Sequence, residues 1–318
     1  MAEIDYDMSI IDFDVVNAPS STVPRPRRDQ ISQKRPAFVS TQVSEARRYF
    51  LDLRPGKTRE ITVVCGGCER VRPDYEVRRE TFPYFAIEFV AEGEGSLTLA
   101  GREWRLRPGS VFTYGPGVPH RIRTEPDRPM LKYYVDFVGE RARQLLAHSP
   151  VRPGECAQVS APGELRTIFD LLQHNSSAEP PFAASICAAL VPVLIHKIGE
   201  QAVACDDANP RALATFQRAK RYLEDHAAAL KTLEQAARGC GVNLSYLCRL
   251  FQRFDRQTPY RFLLRMKMNR AAQLLLDDGL LVKEAAAALD FPDAFSFSRT
   301  FKLILGLSPA AFLRQSRR

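Results

Sequence analysis

Two sets of residues have the type and spacing to do chemistry. Cys65 and Cys68, in "CGGC", have metal or redox spacing. Arg249 and Arg299 stand 50 positions apart in two segments of similar pattern, "NLSYLCRLFQRFDRQTP" (243–259) and "DAFSFSRTFKLILGLSP" (293–309). An arginine can donate two hydrogen bonds to guanine O6 and N7, a contact that discriminates between bases by ~1–3 kcal/mol.

The elements that must hold these arginines can be read from periodicity. Leu244, Leu247, Phe251 and Phe254 align with Ala294, Phe297, Phe301 and Ile304. Steps of three, four and three put each set on one helical face, so Phe297 and Phe301 read as core. Asn243 and Asp293 match as N-caps, and Thr258-Pro259 and Ser308-Pro309 match as starts of the next helix. A shorter helix precedes each segment, striped by Leu233, Ala236, Ala237 and Cys240 or by Val282, Ala285, Ala286 and Leu289. Thr232 with Gln235 fits a capping box. A helix, a tight turn (Gly241-Val242 or Asp290-Phe291-Pro292) and a second capped helix make a helix-turn-helix, here present twice.

The opposite face of each second helix carries the candidate contacts. Ser245, Tyr246, Cys248 and Arg249, with Ala294, Phe295, Ser298 and Arg299, are placed to meet base edges in duplex DNA. Phe295 lies off the core stripe, to meet a thymine methyl or to pack on a neighbouring helix. Gln252, Arg253 and Lys302 lie further along and suit phosphates. Residues 260–276 form an amphipathic linker helix of ~25 Å, which would set the two readers about one DNA turn, ~34 Å, apart.

Charge agrees with this placement. Residues 211–318 carry +10 and residues 1–210 carry −2, within a total of +8. A basic third on a near-neutral partner suggests nucleic acid.

Upstream, residues 1–36 are rich in Pro, Ser and Arg and read as a disordered tail. Residues 37–160 are β-like: short alternating runs cut by Gly and Pro, expected as a small sandwich or barrel. Within them "ITVVCGGCERV" reads as strand, Gly-Gly turn, strand, which makes "CGGC" a structural hairpin. Residues 161–202 read as two apolar-striped helices, and 203–210 as a linker to a helical domain over 211–318. The acidic N-terminus lacks signal-peptide order, no apolar run of ~20 residues is expected to span a bilayer, and seven scattered cysteines fit a reducing compartment. These features imply a cytoplasmic protein without a membrane partner.

Two helix-turn-helix units joined by a helix, with "FSRTFKLILGLSP" in the second, resemble the AraC/XylS family of transcription regulators over Arg211–Arg318. "PGSVFTYGPGVPH" is similar to the second cupin motif of that family's effector domain, with Gly115 where proline is common. The family usually has glycine where Arg256 and Asp290 stand, and often arginine where Leu313 stands. The resemblance implies an α+β multidomain chain: a cupin-like β-barrel or sandwich with a helical dimerisation segment, then an all-α double helix-turn-helix domain. It further implies double-stranded DNA, a small effector such as a sugar or other metabolite, a homodimer, and activation through RNA polymerase. Tyr84, Glu88, His120, Tyr134 and Asp136 are candidate polar lining of the effector pocket. No cofactor is implied. A cupin metal site needs a His-x-His and a Glu, and His120 is the only histidine before His148, so no catalytic or metal role is assigned. A cupin-type enzyme, a zinc-cysteine DNA repair protein and an RNA-binding adaptor are the competing readings. The cupin-type enzyme lacks those metal ligands, the repair protein lacks ligands beyond Cys65 and Cys68, and the adaptor lacks an aromatic β-platform.

Overall fold

A computed structural model of the chain describes residues 39–179, 181–204 and 209–316. The tail expected over 1–36 and residues 205–208 of the expected linker lie outside the described residues.

The β-rich part has two antiparallel sheets. Strands β1 (Val43–Phe50), β2 (Thr62–Val71), β4 (Phe85–Glu92), β7 (Ser110–Tyr114), β9 (Leu131–Val138), β10 (Glu155–Val159) and β11 (Ala202–Ala204) form a seven-stranded sheet in the order β1-β2-β9-β4-β7-β10-β11. The remaining strands, β3 (Glu76–Arg79), β5 (Gly95–Leu99), β6 (Arg102–Leu106) and β8 (His120–Thr124), form a four-stranded sheet in the order β3-β8-β5-β6. Period-two alternation divides the larger sheet by chemistry. Phe85, Ile87 and Phe89 of β4, with Tyr133, Val135 and Phe137 of β9, pack towards helices α1 (Glu140–Ala147), α2 (Pro162–Asn175) and α3 (Phe182–Gln201). Ala86 and Glu88, with Lys132, Tyr134 and Asp136, turn to the other side, between the sheets. Trp104 is buried opposite Leu97, with the Arg102 guanidinium 4.8 Å from its ring centre.

Two expectations are corrected here. Residues 65–68 do not form a hairpin: β2 runs unbroken through "CGGC", paired with β1 and β9. Glycine is required because β1 lies close. A Cβ on Gly66 would collide with the Tyr49 phenol and lie 2.7 Å from Tyr134 O, and one on Gly67 would meet Arg47 O. The odd spacing of Cys65 and Cys68 then puts the thiols on opposite faces. Cys65 lies opposite Asp136 between the sheets, and Cys68 packs in the helix-side core. Second, α3 has 20 residues and is long and apolar enough, by length and composition, to cross a bilayer. Its helix continues through Pro192, and its inner stripe of Cys187, Val191, Leu194, Ile195 and Ile198 is buried in the core under the sheet.

The C-terminal part is helical: α4 (Pro210–His226), α5 (Leu233–Gly239), α6 (Leu244–Phe254), α7 (Pro259–Leu276), α8 (Val282–Ala288), α9 (Ala294–Leu305) and α10 (Pro309–Ser316). It has two cores. Phe216, Ala236, Leu247, Phe251 and Phe254 build the first, and Ala285, Ala286, Leu289, Phe297 and Phe301 the second. Helix α7 belongs to both, giving Phe262 and Leu263 to one and Met268, Ala271 and Leu275 to the other. The turns repeat as well. Gly241 and Val242 donate to Arg238 O and Ala237 O, while Asp290 and Phe291 donate to Ala287 O and Ala286 O. Arg256 (φ 52°) and Asp290 (φ 60°) hold the left-handed backbone that Gly306 (φ 82°) and Gly241 (φ 68°) hold in the other copy. The glycine-to-arginine and glycine-to-aspartate departures therefore leave the turns intact.

Contacts join the two parts. Gln217 Nε2 donates to Ser160 O at 2.8 Å, the Arg256 guanidinium donates to Ala202 O at 3.2 Å, and Val203 packs on the first helical core.

Candidate functional site

The reading helices are held by the caps that their sequence supplies. Asn243 Oδ1 accepts from the Tyr246 N–H at 2.8 Å, and Asp293 Oδ1 from the Ser296 N–H at 2.7 Å. Thr232 caps α5, but Gln235 returns its side chain to the Lys231 N–H at 2.9 Å, so the expected reciprocal contact falls one residue early. Glu284 makes the corresponding return to the Leu281 N–H in the second unit.

Behind each reading face the core is closed: Leu247, Phe251, Phe297 and Phe301 have 0% exposure. In front, Ser245, Arg249, Gln252 and Arg253 of α6 are exposed, as are Phe295, Arg299 and Lys302 of α9. Tyr246, Cys248, Ala294 and Ser298 are half-buried beside them. Tyr246 packs against the first core, and the Arg249 guanidinium stands 5.7 Å from its ring centre. Ser298 spends its hydroxyl hydrogen on Ala294 O at 2.7 Å, which leaves it an acceptor. Phe295 is 79% exposed, so packing on a neighbouring helix does not account for it. Leu303, 77% exposed on the same helix, was not foreseen, because a leucine near a helix end reads as core by type alone.

The interior between the sheets is polar and aromatic. Glu88 accepts from the Tyr114 hydroxyl at 2.6 Å and from Lys132 Nζ at 3.0 Å. Lys132 also reaches Glu69 at 3.4 Å, and Glu69 pairs with Arg48 at 2.7 Å. Burial would raise the Glu88 carboxyl, but the Lys132 charge and these hydrogen bonds outweigh it and hold it below its ordinary value. Lys132 is likewise held above its ordinary range, burial being outweighed by Glu88, Tyr75 and Glu69. Its ammonium lies 5.2 Å from the ring centre of Tyr134. His120 is buried and stacks on Tyr114 at 3.9 Å. Its Nδ1 lies 3.2 Å from Val118 O, which can only accept, so Nδ1 carries the hydrogen and Nε2 is left an acceptor. Burial depresses its basicity, which keeps the ring neutral. Asp136 accepts from the Cys65 thiol at 3.2 Å through Oδ2, and burial pushes its carboxyl up to about 7. Burial first, and then Asp136, push the Cys65 thiol far up, the opposite of what a reactive thiolate needs.

The five residues expected to line an effector pocket thus separate. Glu88, His120, Tyr134 and Asp136 are buried and face the space between the sheets, whereas Tyr84 sits in a rim cleft with Pro55, Phe85, Pro116 and Arg143. Of these five residues, two hold a buried polar atom without a hydrogen-bond partner, His120 Nε2 and Asp136 Oδ1. Asp136 and Tyr114 lie either side of Ala86 in the larger sheet, and His120 of the smaller sheet stacks on Tyr114. Sequence reasoning missed Lys132, Glu69 and Tyr114. The signal was present in β9, where Lys132, Tyr134 and Asp136 recur at period two. Among the described residues no three His, Cys, Asp or Glu side chains gather to hold a metal.

Residues 68–191 match the family model described as an AraC-like ligand binding domain, and residues 236–315 match that of a helix-turn-helix domain. The chain belongs to the AraC family of transcriptional regulators. This AraC-family chain is similar over most of its length to three known regulators. The MmsAB operon regulatory protein of Pseudomonas aeruginosa is 24% identical over 82% of this chain and 85% of its own. The raffinose operon transcriptional regulatory protein of Pediococcus pentosaceus is 23% identical over 80% and 94%. The arabinose operon regulatory protein of Salmonella typhimurium is 22% identical over 72% and 83%. The AraC family is one of transcription regulators, not enzymes, which removes the repair-protein and cupin-enzyme readings. DNA binds through the helix-turn-helix domain, and a small-molecule ligand through the AraC-like domain.

Proposed function

We propose that this regulator inserts α6 and α9 into successive major-groove segments and switches its promoter affinity when an effector enters the space between the sheets. The observation that carries the reading is the matched pair Arg249 and Arg299, both exposed, each on a capped helix with a closed core behind it. Ser245, Tyr246, Cys248, Ala294, Phe295 and Ser298 flank them at the bases, while Gln252, Arg253 and Lys302 reach phosphates. His120 Nε2 offers an acceptor to a hydroxyl-bearing effector, and Asp136 Oδ1 accepts when the carboxyl is ionised and can donate when it is protonated, with Tyr134 as an aromatic wall and Tyr84 at the rim. A sugar or related metabolite suits these groups, and two of the relatives are named for sugar operons. The ligand must bind two arrangements of the domains unequally, and the contacts of Gln217 with Ser160 and of Arg256 with Ala202 are the links through which it would act.

A homodimer is part of the proposal. Phe182, Ile186 and Val193 make an exposed apolar stripe on the outer side of α3, a surface suited to a second copy. Activation, through contact with RNA polymerase, is the mode we favour. The test is capture of genomic DNA fragments by the purified protein in salt high enough to suppress phosphate-only binding, followed by transcription from the captured promoters. Enrichment of a two-segment motif about one turn apart supports the reading. Fragments without a motif, with or without metabolite pools, would overturn it.

A further inference from the structure

The two most exposed large apolar side chains among the described residues, Phe295 at 79% and Leu303 at 77%, lie on one helix. They stand eight residues apart on α9, with Arg299 midway. At ~1.5 Å and ~100° per residue, Leu303 lies about 12 Å along the helix from Phe295 and about 80° around it, so the three side chains share one face. That face is backed by Phe297 and Phe301, each fully buried. Neither Phe295 nor Leu303 is needed by the core, and leaving both in water is unfavourable.

We infer that α9 lies along the major groove and reads two thymine methyl groups, through Phe295 and Leu303, on either side of a guanine held by Arg299. The inference rests on the proposed DNA-reading role and adds the base pattern to it. The spacing follows from the helix: about 12 Å between the two side chains spans at most three to four base pairs at a rise of ~3.4 Å along the duplex axis. The occupant is argued from charge as well as shape. Arg299 and Lys302 are exposed between and beside the apolar pair, and the domain carries +10 over residues 211–318. A basic, apolar-studded helix face matches a groove of acceptors and methyl groups. The first reader differs. Fifty positions earlier stand Ser245, Arg249 and Arg253, with no apolar member. Helix α6 therefore demands no thymine at the equivalent sites, and the two halves of the operator are read by different chemistry.

The test uses the full chain and duplexes selected from a random pool. The expected motif has, in the half read by α9, a guanine between two thymines separated by no more than about three to four base pairs. Deoxyuracil in place of either thymine removes only the methyl group and should weaken binding roughly three- to fivefold. Leu303→Ala should abolish the uracil effect at one thymine and Phe295→Ala at the other. Both positions are exposed, so folding is not at issue. Indifference to uracil at every thymine, in a motif whose guanine preference Arg299→Ala still relaxes, overturns this inference and leaves the DNA-reading proposal standing. The inference also falls if Leu303→Ala reduces transcription without altering affinity or uracil response, because Leu303 would then face a protein. If the wild-type protein selects no motif, the DNA-reading proposal fails and this inference fails with it.

Discussion

Lys132 and Glu88 form an ion pair of 3.0 Å between the sheets, with neither side chain more than 5% exposed. Glu69, itself 3% exposed, shares the same ammonium at 3.4 Å. Removing the cation leaves two buried carboxylates, of which Glu69 keeps Arg48 and Glu88 keeps only the Tyr114 hydroxyl. Lys132→Met should therefore cost about 3–5 kcal/mol in urea unfolding. Lys132→Met with Glu88→Gln should recover part of that loss. Equal instability of the single and double variants would show that the pair is not coupled.

Asp136 should impose a pH slope. Its carboxyl titrates at about 7 when folded and near the ordinary carboxylate value when unfolded. Between those values the folded state holds the extra proton, so stability falls as pH rises and levels off above about 7. Asp136→Asn keeps an oxygen for the Cys65 thiol and should flatten the slope. From pH 5 to 8 the wild-type protein should lose roughly 2–3 kcal/mol more than the variant, measured by urea midpoints.

Gly66 should tolerate no side chain. A Cβ there meets the Tyr49 phenol and the Tyr134 carbonyl, and the latter belongs to a paired strand that cannot retreat. Gly66→Ala should cost about 3 kcal/mol or more. Gly56→Ala, with nothing within 4 Å of the added carbon, should stay within about 0.5 kcal/mol. Thermal melts of the two variants side by side make the comparison.

At Arg256 two substitutions separate backbone from side chain. Both Arg256→Gly and Arg256→Ala remove the hydrogen bond to Ala202 O. Only glycine relieves the left-handed backbone at φ 52°. The glycine variant should be more stable than the alanine variant by about 1 kcal/mol. The reverse order would mean that the turn rearranges once the arginine is gone.

On DNA, Arg249→Ala and Arg299→Ala should each weaken specific binding roughly ten- to a hundredfold, with relaxed preference at one base pair. Lys302→Ala should weaken specific and non-specific binding alike and lower the salt slope by about one. Titrations at several salt concentrations distinguish the two behaviours.

The helical half was legible because its cause is local. Phe297 and Phe301 announce a buried face by spacing, and Asn243 and Asp293 announce helix starts by chemistry. The β half was legible as alternation and less so in detail. Gly66 and Gly67 look like a turn in sequence; the reason for them is the approach of Tyr49 from another strand, which no local pattern records. Lys132 and Glu69 look like solvent-facing charges, and only strand pairing brings them to Glu88. Leu303 is hidden for the opposite reason: it has the residue type of a core and the exposure of a surface.

Helix α7 is one uninterrupted helix of 18 residues that belongs to both helical cores. Neither reader can swing about it without opening the core that it shares. The two readers also differ in their side chains, so a single protomer carries an unlike pair on a fixed rod. Turned end for end on the duplex, such a rod would offer each half-site the wrong partner. A promoter element recognised by one protomer would thus possess polarity, and its orientation relative to the transcription start would be as much a part of its identity as its bases.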